Sequence, residues 1–327
     1  MAKVAINGFG RIGRLFYRQA TDAKDIEVVA INDLGSRENL EYLLKYDTVY
    51  GRFEGKLPSH ILQEKDPANL PWEKLGIDIV VEATGGFDSY KEAQAHLKAG
   101  AKRVVITAPA KDEDGPLGRT VLMGVNEKDL AGCKISSNGS CTTNSIAPVI
   151  QVLDEEIGVA KALLNTAHGY TATQGLVDGP AKGKDMRRGR AAAQNIIPSS
   201  TGAAIAVARA VRSMEKKFDG IALRVPVAAG SIADVTFLAK RKTSVEEVNK
   251  ILKKAAAQPR FKNVLQVTED PVVSSDILRQ PYGAIVDLAL TRVVDGDLVK
   301  VLSWYDNEWG YVATLVRHVT EAAKTLG

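Results

Sequence analysis

The stretch Val4-Ala5-Ile6-Asn7-Gly8-Phe9-Gly10-Arg11-Ile12-Gly13 decides the fold of the N-terminal part of the chain. It begins with a short continuous apolar run, which is typical of a parallel strand buried on both faces. The three glycines that follow have the spacing G-x-G-x-x-G. Apolar side chains then recur at helical spacing, at Ile12, Leu15, Phe16 and Ala20. The stretch therefore predicts a strand, a tight turn and an amphipathic helix in direct succession.

The next predicted strand completes this pattern. Ile26–Ile31 is apolar and leads to Asp33, which follows Gly13 by 20 residues. In this context the glycines predict a dinucleotide site, because Gly8 and Gly10 let the backbone approach a pyrophosphate at the helix N-terminus. Gly13 lets helix and strand pack closely, and Asp33 is expected to accept hydrogen bonds from the adenosine ribose. A purely structural strand–helix turn is the alternative.

Strands and helices continue to alternate through the first part of the chain. We predict strands at Ile77–Glu82, Arg103–Thr107 and Val121–Val125, and helices at Glu38–Lys45 and Tyr90–Ala99. This alternation indicates a doubly wound parallel sheet, which binds its ligands at the carboxyl ends of the strands. We predict that Cys133, just before a further short strand, is a core residue.

The pattern changes after residue 140. Apolar or alternating stretches predict a group of strands with few helices between them, at Ala162–Ala167, Ala222–Val227, Ile232–Leu238, Ala284–Leu290 and Leu298–Tyr305. Such grouping indicates a mostly antiparallel sheet with helices on one face. The capping box that starts at Ser244 opens one helix, and Trp309–Leu326 is predicted to be another.

Together these patterns predict an α/β protein of two domains. Residues 1–140 are expected to form a Rossmann-type doubly wound dinucleotide-binding domain, completed by the C-terminal helix within residues 306–327. Residues 141–305 are expected to form an α+β domain with a mostly antiparallel sheet. The length of 327 residues is sufficient for two cores.

Composition excludes several classes of protein. Lysine and arginine total 43 against 39 acidic residues, and the net charge of +4 is too small to favour nucleic acid or an anionic membrane. Two cysteines and four scattered histidines show neither a disulfide framework nor the spacing of a metal site. The sequence has no signal peptide and no apolar run of membrane-spanning length. A reducing, cytoplasmic compartment is expected.

Cys141 is the candidate nucleophile. It lies within Ser137-Asn138-Gly139-Ser140-Cys141-Thr142-Thr143-Asn144, at the predicted start of a helix. Nearby hydrogen-bond donors and the partial positive charge of a helix N-terminus favour thiolate over thiol. The alternative is a small buried residue on a turn. His168, at the end of a predicted strand, is the candidate partner because imidazole can pair with a thiolate and carry protons.

Three further segments are suited to anions. Ser199–Gly202 precedes a helical run and offers hydroxyl and N–H donors. Arg224 is the one charge in a stretch that resembles a buried strand, and buried arginines are usually paired with an anion. The basic run from Lys182 to Arg190 lacks interleaved aromatic residues, so we expect a loop that reaches a phosphate or a neighbouring subunit rather than nucleic acid.

At this point the chain resembles phosphorylating glyceraldehyde-3-phosphate dehydrogenases, from Lys3 to the terminal helix. The motifs that carry the resemblance are Asn7–Arg14, Ser137–Asn144, His168–Gln174, Arg224-Val225-Pro226 and Ser303-Trp304-Tyr305-Asp306-Asn307-Glu308-Trp309-Gly310-Tyr311. The cysteine block and the last stretch are highly specific together, since few families combine them with an N-terminal dinucleotide fingerprint.

The resemblance implies a reaction and its catalytic residues. Cys141 would attack the aldehyde of D-glyceraldehyde 3-phosphate to give a hemithioacetal. His168 would hold Cys141 as a thiolate and accept the hydroxyl proton as the hydride leaves for NAD. Inorganic phosphate then attacks the thioester and releases 1,3-bisphosphoglycerate. A thioester keeps the acyl-transfer potential that an oxygen ester would lose.

The resemblance also implies binding residues and a homotetramer, with residues 141–305 as the catalytic and oligomerisation domain. The substrate and phosphate contacts would be Ser140, Thr142, Thr171, Thr173, Arg188, Thr201, Gly202 and Arg224. The cofactor contacts would be Gly8, Gly10, Arg11, Ile12, Gly13, Asp33, Lys65, Thr107 and Asn307. The loop with the basic run would lie at a subunit interface beside the cofactor. No metal, membrane or nucleic-acid partner is implied.

Three alternatives remain open at this stage. NADP could replace NAD if Arg37 and Lys182 converged near Asp33, although a carboxylate there repels a 2′-phosphate. The related erythrose-4-phosphate dehydrogenases share the cysteine and the fold. An exposed thiolate of low pKa is also typical of a redox-sensing or binding protein on the same fold.

Overall fold

A computed structural model describes residues 1–181, 183 and 185–326 of the chain. The chain divides into two compact units, one formed by Met1–Ser140 together with the chain from Val312 onward, the other by Cys141–Tyr311. Lys182 and Lys184 of the basic run lie outside the described residues, as does residue 327 of the predicted C-terminal helix. No described helix is long and apolar enough to cross a membrane.

The first unit is built on a fully parallel sheet. Its strands are β1 (Ala2–Asn7), β2 (Ile26–Asn32), β3 (His60–Leu62), β4 (Ile79–Glu82), β5 (Arg103–Ile106), β6 (Arg119–Thr120) and β7 (Ile135–Ser137). The strand order is β3-β2-β1-β4-β5-β7-β6, and every pair is parallel. The helices that alternate with these strands are α1 (Arg11–Ala20), α2 (Arg37–Lys45), α3 (Trp72–Leu75) and α4 (Tyr90–Lys98). The predicted doubly wound parallel sheet is confirmed.

Apolar strands and one face of each neighbouring helix form the core of this unit. Val80 and Val104 in adjacent strands are fully buried, and Trp72 and Tyr90 pack into the same cluster. Continuous apolar runs are needed here because a parallel sheet is covered on both faces. Cys133 is buried, as predicted for a core residue.

The structure differs from the sequence-based prediction at the end of this sheet. The predicted strand at Val121–Val125 is wrong, since β6 ends at Thr120 and a turn follows. Gly124 has a φ of 78°, and the Leu122 backbone N–H is taken by the side chain of Asn126. Val121 still donates to the carbonyl oxygen of Ser137 in β7 at 2.9 Å, but the backbone from Leu122 onward bonds locally, so burial alone made the segment resemble a strand.

The second unit contains a mixed sheet. Its strands are β8 (Val159–Gly169), β9 (Ile197–Ser200), β10 (Phe218–Val225), β11 (Ser231–Ala239), β12 (Leu265–Thr268), β13 (Ala284–Val294) and β14 (Leu298–Tyr305). They follow the order β12-β13-β14-β11-β8-β10-β9. Four of the six pairs are antiparallel, and two are parallel. The prediction of a mostly antiparallel sheet is confirmed, although the short β9 and β12 were not predicted.

Helices of the second unit pack against this sheet. They are α5 (Cys141–Glu156), α6 (Ala203–Ala210) and α7 (Val245–Ala256). The chain ends in α8 (Trp309–Lys324), most of which belongs to the first unit. The helix α5 lies against β8, β11, β13 and β14 and also contacts α6 and α7. Contacts on so many sides explain why nearly all of its first four turns is buried. The predicted capping residue Ser244 accepts a hydrogen bond from the backbone N–H of Glu247.

This arrangement sets the positions of the candidate residues in the second unit. Cys141 is the first residue of α5. His168 and Arg224 are register partners in the parallel strands β8 and β10, close to the carboxyl end of each. Asn307 follows the end of β14.

Candidate active site

The predicted pair of Cys141 and His168 comes together in the second unit. The Sγ of Cys141 and the Nε2 of His168 are 3.3 Å apart. His168 is buried, whereas Cys141 is partly exposed. A thiol and an imidazole in hydrogen-bond contact, with the sulfur-bearing residue partly open to solvent, have the geometry of a nucleophile and its base.

The second ring nitrogen of His168 orients the imidazole. Its Nδ1 lies 2.6 Å from the carbonyl oxygen of Gly169, and the Nη1 of Arg224 lies 2.5 Å from the same nitrogen. When Nδ1–H donates to Gly169, the lone pair is on Nε2 and faces the thiol. Because a guanidinium only donates, Arg224 cannot hydrogen-bond to Nδ1–H, and it acts on the imidazole through its charge.

Burial decides the charge state of this pair. The pKa of His168 is lowered to about 3, chiefly by burial and then by the charge of Arg224, so the imidazole of the free enzyme is neutral. Burial also raises the pKa of the Cys141 thiol, against the opposing effects of Arg224 and of hydrogen bonds from Thr142. The N–H groups at the helix start lower this pKa, which is the predicted direction, but burial has the larger effect.

Three of the predicted anion-binding side chains form one cluster. The hydroxyls of Thr171 and Thr173 are 2.9 Å apart. Arg188 donates through Nη1 to Thr173 at 3.5 Å and through Nη2 to the hydroxyl of Ser199 at 2.8 Å. Two hydroxyls and a guanidinium that converge in this way can bind a phosphate group. Ser199, at the end of β9, was predicted only as part of a polar segment.

Arginines of the basic run have different partners. Arg187 pairs with Asp185 at 2.9 Å, and Arg190 pairs with Asp178 at 3.0 Å. Arg188, between them, points instead to the hydroxyl cluster. This run therefore places one cation beside the candidate anion site and neutralises two others with nearby carboxylates.

The remaining predicted anion contacts lie at helix starts. Thr201 and Gly202 precede α6, and the hydroxyl of Thr201 accepts a hydrogen bond from the Ala203 backbone N–H at 3.2 Å. Ser140 directly precedes the Cys141 helix. The side chain of Thr142 is buried and bonded to a tyrosine, so this residue can offer an anion only its backbone N–H.

That tyrosine is Tyr305, whose role the sequence analysis missed. Its hydroxyl lies 2.9 Å from the hydroxyl of Thr142 and 2.8 Å from that of Thr166. Its ring packs edge-on against the imidazole of His168. Burial raises the pKa of the Tyr305 phenol, so it stays protonated. Tyr305 belongs to the motif at the end of β14, but no pattern in that motif signalled a bond to the Cys141 helix.

Asn307 is held by the backbone at the start of β11. Its Oδ1 accepts from the Gly230 backbone N–H and from the Ser231 hydroxyl, both at 3.0 Å. The hydroxyl of Ser231 in turn accepts from the Gly169 backbone N–H at 3.2 Å. These bonds orient the Asn307 amide with its oxygen toward β11. Its Nδ2 therefore points away from β11 and can donate to a ligand.

In the first unit the three fingerprint glycines have distinct surroundings. Gly8 has a φ of 95°, and a Cβ there would lie 2.6 Å from the backbone nitrogen of Thr84. A Cβ on Gly13 would lie 2.1 Å from the carbonyl oxygen of Gly8. Gly10, the N-cap of α1, has no described atom within 4 Å of a Cβ. The open space at a helix N-terminus fits a pyrophosphate.

Asp33 lies beside this turn. Its carboxylate accepts from the Phe9 backbone N–H at 2.7 Å and from the Gly35 backbone N–H at 2.8 Å. The acid is therefore fixed at the end of β2, next to the glycine turn, where a ribose would lie in a fold of this type.

The other predicted cofactor residues belong to the same unit. Arg11 forms an ion pair with Asp47 at 2.5 Å, and Ile12 follows it in the first turn of α1. Lys65 is exposed. The Thr107 backbone N–H donates to the carbonyl oxygen of Glu82 at 3.0 Å, at the carboxyl end of the sheet. Among the described residues, no group of three or more His, Cys, Asp or Glu could hold a metal ion.

Comparison with protein families identifies two matching segments. Residues 2–90 match the family described as glyceraldehyde 3-phosphate dehydrogenase, NAD binding domain. Residues 140–307 match the family described as glyceraldehyde 3-phosphate dehydrogenase, C-terminal domain. The first segment contains the glycine turn and Asp33, and the second contains Cys141 and His168.

Similar proteins match over nearly their whole lengths. A glyceraldehyde-3-phosphate dehydrogenase of Streptomyces coelicolor is 47% identical, with 96% of each chain covered. One of Mycobacterium tuberculosis is 47% identical, with 99% of each chain covered. One of Zymomonas mobilis is 46% identical, again with 99% of each chain covered.

The glycine turn yields a testable contrast between two substitutions. Gly13→Ala should destabilise the protein by about 1–3 kcal/mol, because its Cβ cannot fit against the carbonyl of Gly8. Gly10→Ala should change stability by less than about 0.5 kcal/mol yet weaken dinucleotide binding, because its Cβ takes up the space of the pyrophosphate. Urea unfolding and calorimetric titration with NAD measure the two effects. Equal stability of the two variants would contradict this account of the turn.

Proposed function

The chain belongs to the glyceraldehyde-3-phosphate dehydrogenase family, whose members are NAD-dependent oxidoreductases, and we propose that it performs the family reaction through a covalent intermediate on Cys141. The observation that carries the proposal is the 3.3 Å contact between Cys141 Sγ and a neutral, buried His168. The reaction is the oxidative phosphorylation of D-glyceraldehyde 3-phosphate to 1,3-bisphosphoglycerate.

Attack on the aldehyde is the first step. Cys141 Sγ bonds to the carbonyl carbon as its proton passes to His168 Nε2, and the same nitrogen returns that proton to the new oxygen, which gives a hemithioacetal. The backbone N–H groups at the start of α5 and the protonated imidazole stabilise the negative charge that develops on this oxygen. The raised pKa of the thiol fits a proton transfer that accompanies attack.

Oxidation is the second step. His168 Nε2 accepts the hydroxyl proton of the hemithioacetal, so that the carbonyl of a thioester forms on Cys141. NAD, when bound, takes up the hydride that leaves the same carbon. The neutral state of His168 is what makes it a base in this step.

Phosphorolysis completes the cycle. An oxygen of inorganic phosphate attacks the thioester carbon, the C–S bond breaks, and the leaving sulfur recovers its proton from His168. We assign the substrate's own phosphate to Thr171, Thr173 and Arg224. The attacking phosphate is assigned to Ser140, Thr142, Thr201 and Gly202, with Arg188 close to both anions. The contacts of Arg188 with Thr173 and Ser199 support this assignment.

We propose that the cofactor is NAD rather than NADP. Asp33 is held beside the glycine turn by two backbone N–H groups, where its charge would repel a 2′-phosphate. Arg37, which could have compensated, pairs with Glu41 at 2.9 Å. Arg11, Ile12, Lys65 and Thr107 would line the dinucleotide, and Asn307 would donate its amide to the nicotinamide carboxamide.

A homotetramer in a reducing, cytoplasmic compartment is also proposed. Large apolar side chains are exposed in the second unit, including Leu163, Leu176, Val177, Met186, Ile196 and Ile221. These side chains are candidates for contacts between subunits, since large exposed apolar patches mark interaction surfaces. The free thiols of Cys133 and Cys141 fit a reducing compartment. We also propose that residues 1–140 with the C-terminal helix bind the dinucleotide, and that residues 141–305 carry catalysis and assembly.

Turnover measured by absorbance at 340 nm tests the reaction. Purified protein with NAD and glyceraldehyde 3-phosphate should reduce NAD rapidly only when inorganic phosphate is present, and faster than with erythrose 4-phosphate. Cys141→Ser should lower turnover by at least about a thousandfold while NAD still binds, because an alcohol is a poor nucleophile at neutral pH. Unchanged turnover in that variant would overturn the mechanism.

The cofactor assignment makes a second prediction. Asp33→Asn should raise the ratio of NADP to NAD efficiency by about tenfold or more, because it removes a charge beside the 2′ position and keeps one acceptor for the backbone. Glu38→Gln removes the same charge from an exposed position of α2 and should leave the ratio unchanged. An unaltered ratio in Asp33→Asn would place the ribose contact elsewhere.

A further inference from the structure

The first unit contains a buried carboxylate that the reaction does not use. Glu82, the last residue of β4, is 2% exposed. Its Oε2 accepts from Asn7 Nδ2 at 2.6 Å and from His96 Nε2 at 3.0 Å. Its Oε1 accepts from the Thr84 backbone N–H at 2.8 Å and from the Thr84 hydroxyl. A carboxylate accepts about four hydrogen bonds, so Glu82 is saturated with donors.

The neighbours of Glu82 fix the direction of these bonds. Trp72 Nε1–H donates to His96 Nδ1 at 3.0 Å. The lone pair of His96 is therefore on Nδ1, and its Nε2 carries the proton that points at Glu82. His96 thus acts as a donor, held in one tautomer by a tryptophan that can only donate.

The chain of bonds continues to the next strand. Asn7 Oδ1 accepts from Asn32 Nδ2 at 2.7 Å, and Asn32 Oδ1 accepts from the Glu64 backbone N–H at 2.8 Å. Asn7 therefore cannot turn its amide over without breaking its bond to Asn32. Asn7 and His96 donate to the carboxylate of Glu82 directly, and Asn32 and Trp72 are linked to it through Asn7 and His96.

This network ends at the segments that surround the glycine turn. Asn7 immediately precedes Gly8, and Asn32 immediately precedes Asp33. Thr84, which Glu82 holds by two bonds, lies so close to Gly8 that a Cβ on that glycine would be 2.6 Å from its nitrogen. The carboxyl ends of β1, β2 and β4 are thus tied to one another by side chains at the point where a dinucleotide would bind.

We propose that Glu82 is a positioning residue for dinucleotide binding, whose carboxylate sets the spacing of Gly8, Asp33 and the Thr84 segment through Asn7, Asn32 and His96. Glu82 does not touch the cofactor in this account. Its effect is to keep the binding-competent arrangement populated. When Glu82 is lost, fewer molecules have that arrangement, and the apparent Kd for the dinucleotide rises in inverse proportion to the fraction that remains. The inference rests on the proposed cofactor roles of Gly8 and Asp33.

Substitutions that keep the side-chain shape but exchange hydrogen-bond donors with acceptors distinguish this positioning role from simple packing. Glu82→Gln keeps the side-chain shape, but its amide NH₂ then faces the donors of Asn7 and His96. This leaves buried donors without an acceptor. Asn7→Asp creates the opposite mismatch, two carboxylates in contact. The double variant Asn7→Asp/Glu82→Gln restores complementarity, because the new carboxylate at position 7 accepts from the new amide at position 82 and still accepts from Asn32. The His96 Nε2, 3.4 Å from the side chain of residue 7, can then donate to that carboxylate.

The experiment measures NAD binding by calorimetric titration, and KM and kcat, in the full-length variants. We expect each single substitution to raise the Kd and the KM for NAD by about tenfold or more. The double variant should recover most of this loss. The kcat at saturating NAD and the rate of Cys141 alkylation by iodoacetamide should change little. Glu27→Gln, the same change at an exposed position of β2, is the matched control.

Two results would overturn the inference. One is a Glu82→Gln variant that binds NAD as well as the wild type, even while Asp33→Asn alters cofactor use; the proposed function would then stand without the positioning role. The other is a double variant no better than the singles, which would assign Glu82 to packing. If Glu82→Gln does not fold, Thr84→Val removes the donor of a part-buried hydrogen bond to the same carboxylate and should still raise the Kd several-fold.

Discussion

The contact between the sulfur of Cys141 and Nε2 of His168 is the interaction on which the chemistry of this protein depends. It requires a helix start and a strand end at hydrogen-bond distance. The mixed sheet of the second unit supplies this geometry, since α5 packs across β8, β11, β13 and β14. Parallel pairing of β8 with β10 then places Arg224 against the other ring nitrogen. The carbonyl oxygen of Gly169 accepts from Nδ1–H, which leaves the lone pair of Nε2 facing the sulfur.

Burial gives this pair its working state. A buried imidazole beside a guanidinium is neutral, and the raised pKa of the half-buried thiol keeps its proton on the sulfur until a substrate arrives. The same groups that oppose burial at the sulfur, which are Arg224 and the backbone N–H groups of α5, stabilise negative charge once it develops there. The buried hydroxyl pair of Tyr305 and Thr142 holds the first turn of α5 in place.

Much of the fold could be predicted because local patterns agree with the tertiary structure. The strand β14 was predicted with its observed bounds, since its apolar alternation matches one buried face. The glycine turn was recognised because nearby backbone atoms leave no room for a Cβ at Gly8 and Gly13. The glycine spacing in the sequence records this constraint. The segment after β6 was mispredicted, because burial there comes from tertiary packing and its backbone bonds form a turn. Tyr305 and Glu82 were missed for a related reason: their partners lie in other elements, at sequence separations that no motif records.

Mass spectrometry of the enzyme after one turnover tests the central claim most directly. Stoichiometric protein would be mixed with NAD and glyceraldehyde 3-phosphate in the absence of inorganic phosphate, quenched in acid and digested. The account predicts an acyl adduct on the peptide that contains Cys141, with none on the peptide that contains Cys133, and loss of the adduct when phosphate is added before quenching. NAD reduction without an adduct on Cys141, or with an adduct on another residue, would contradict it.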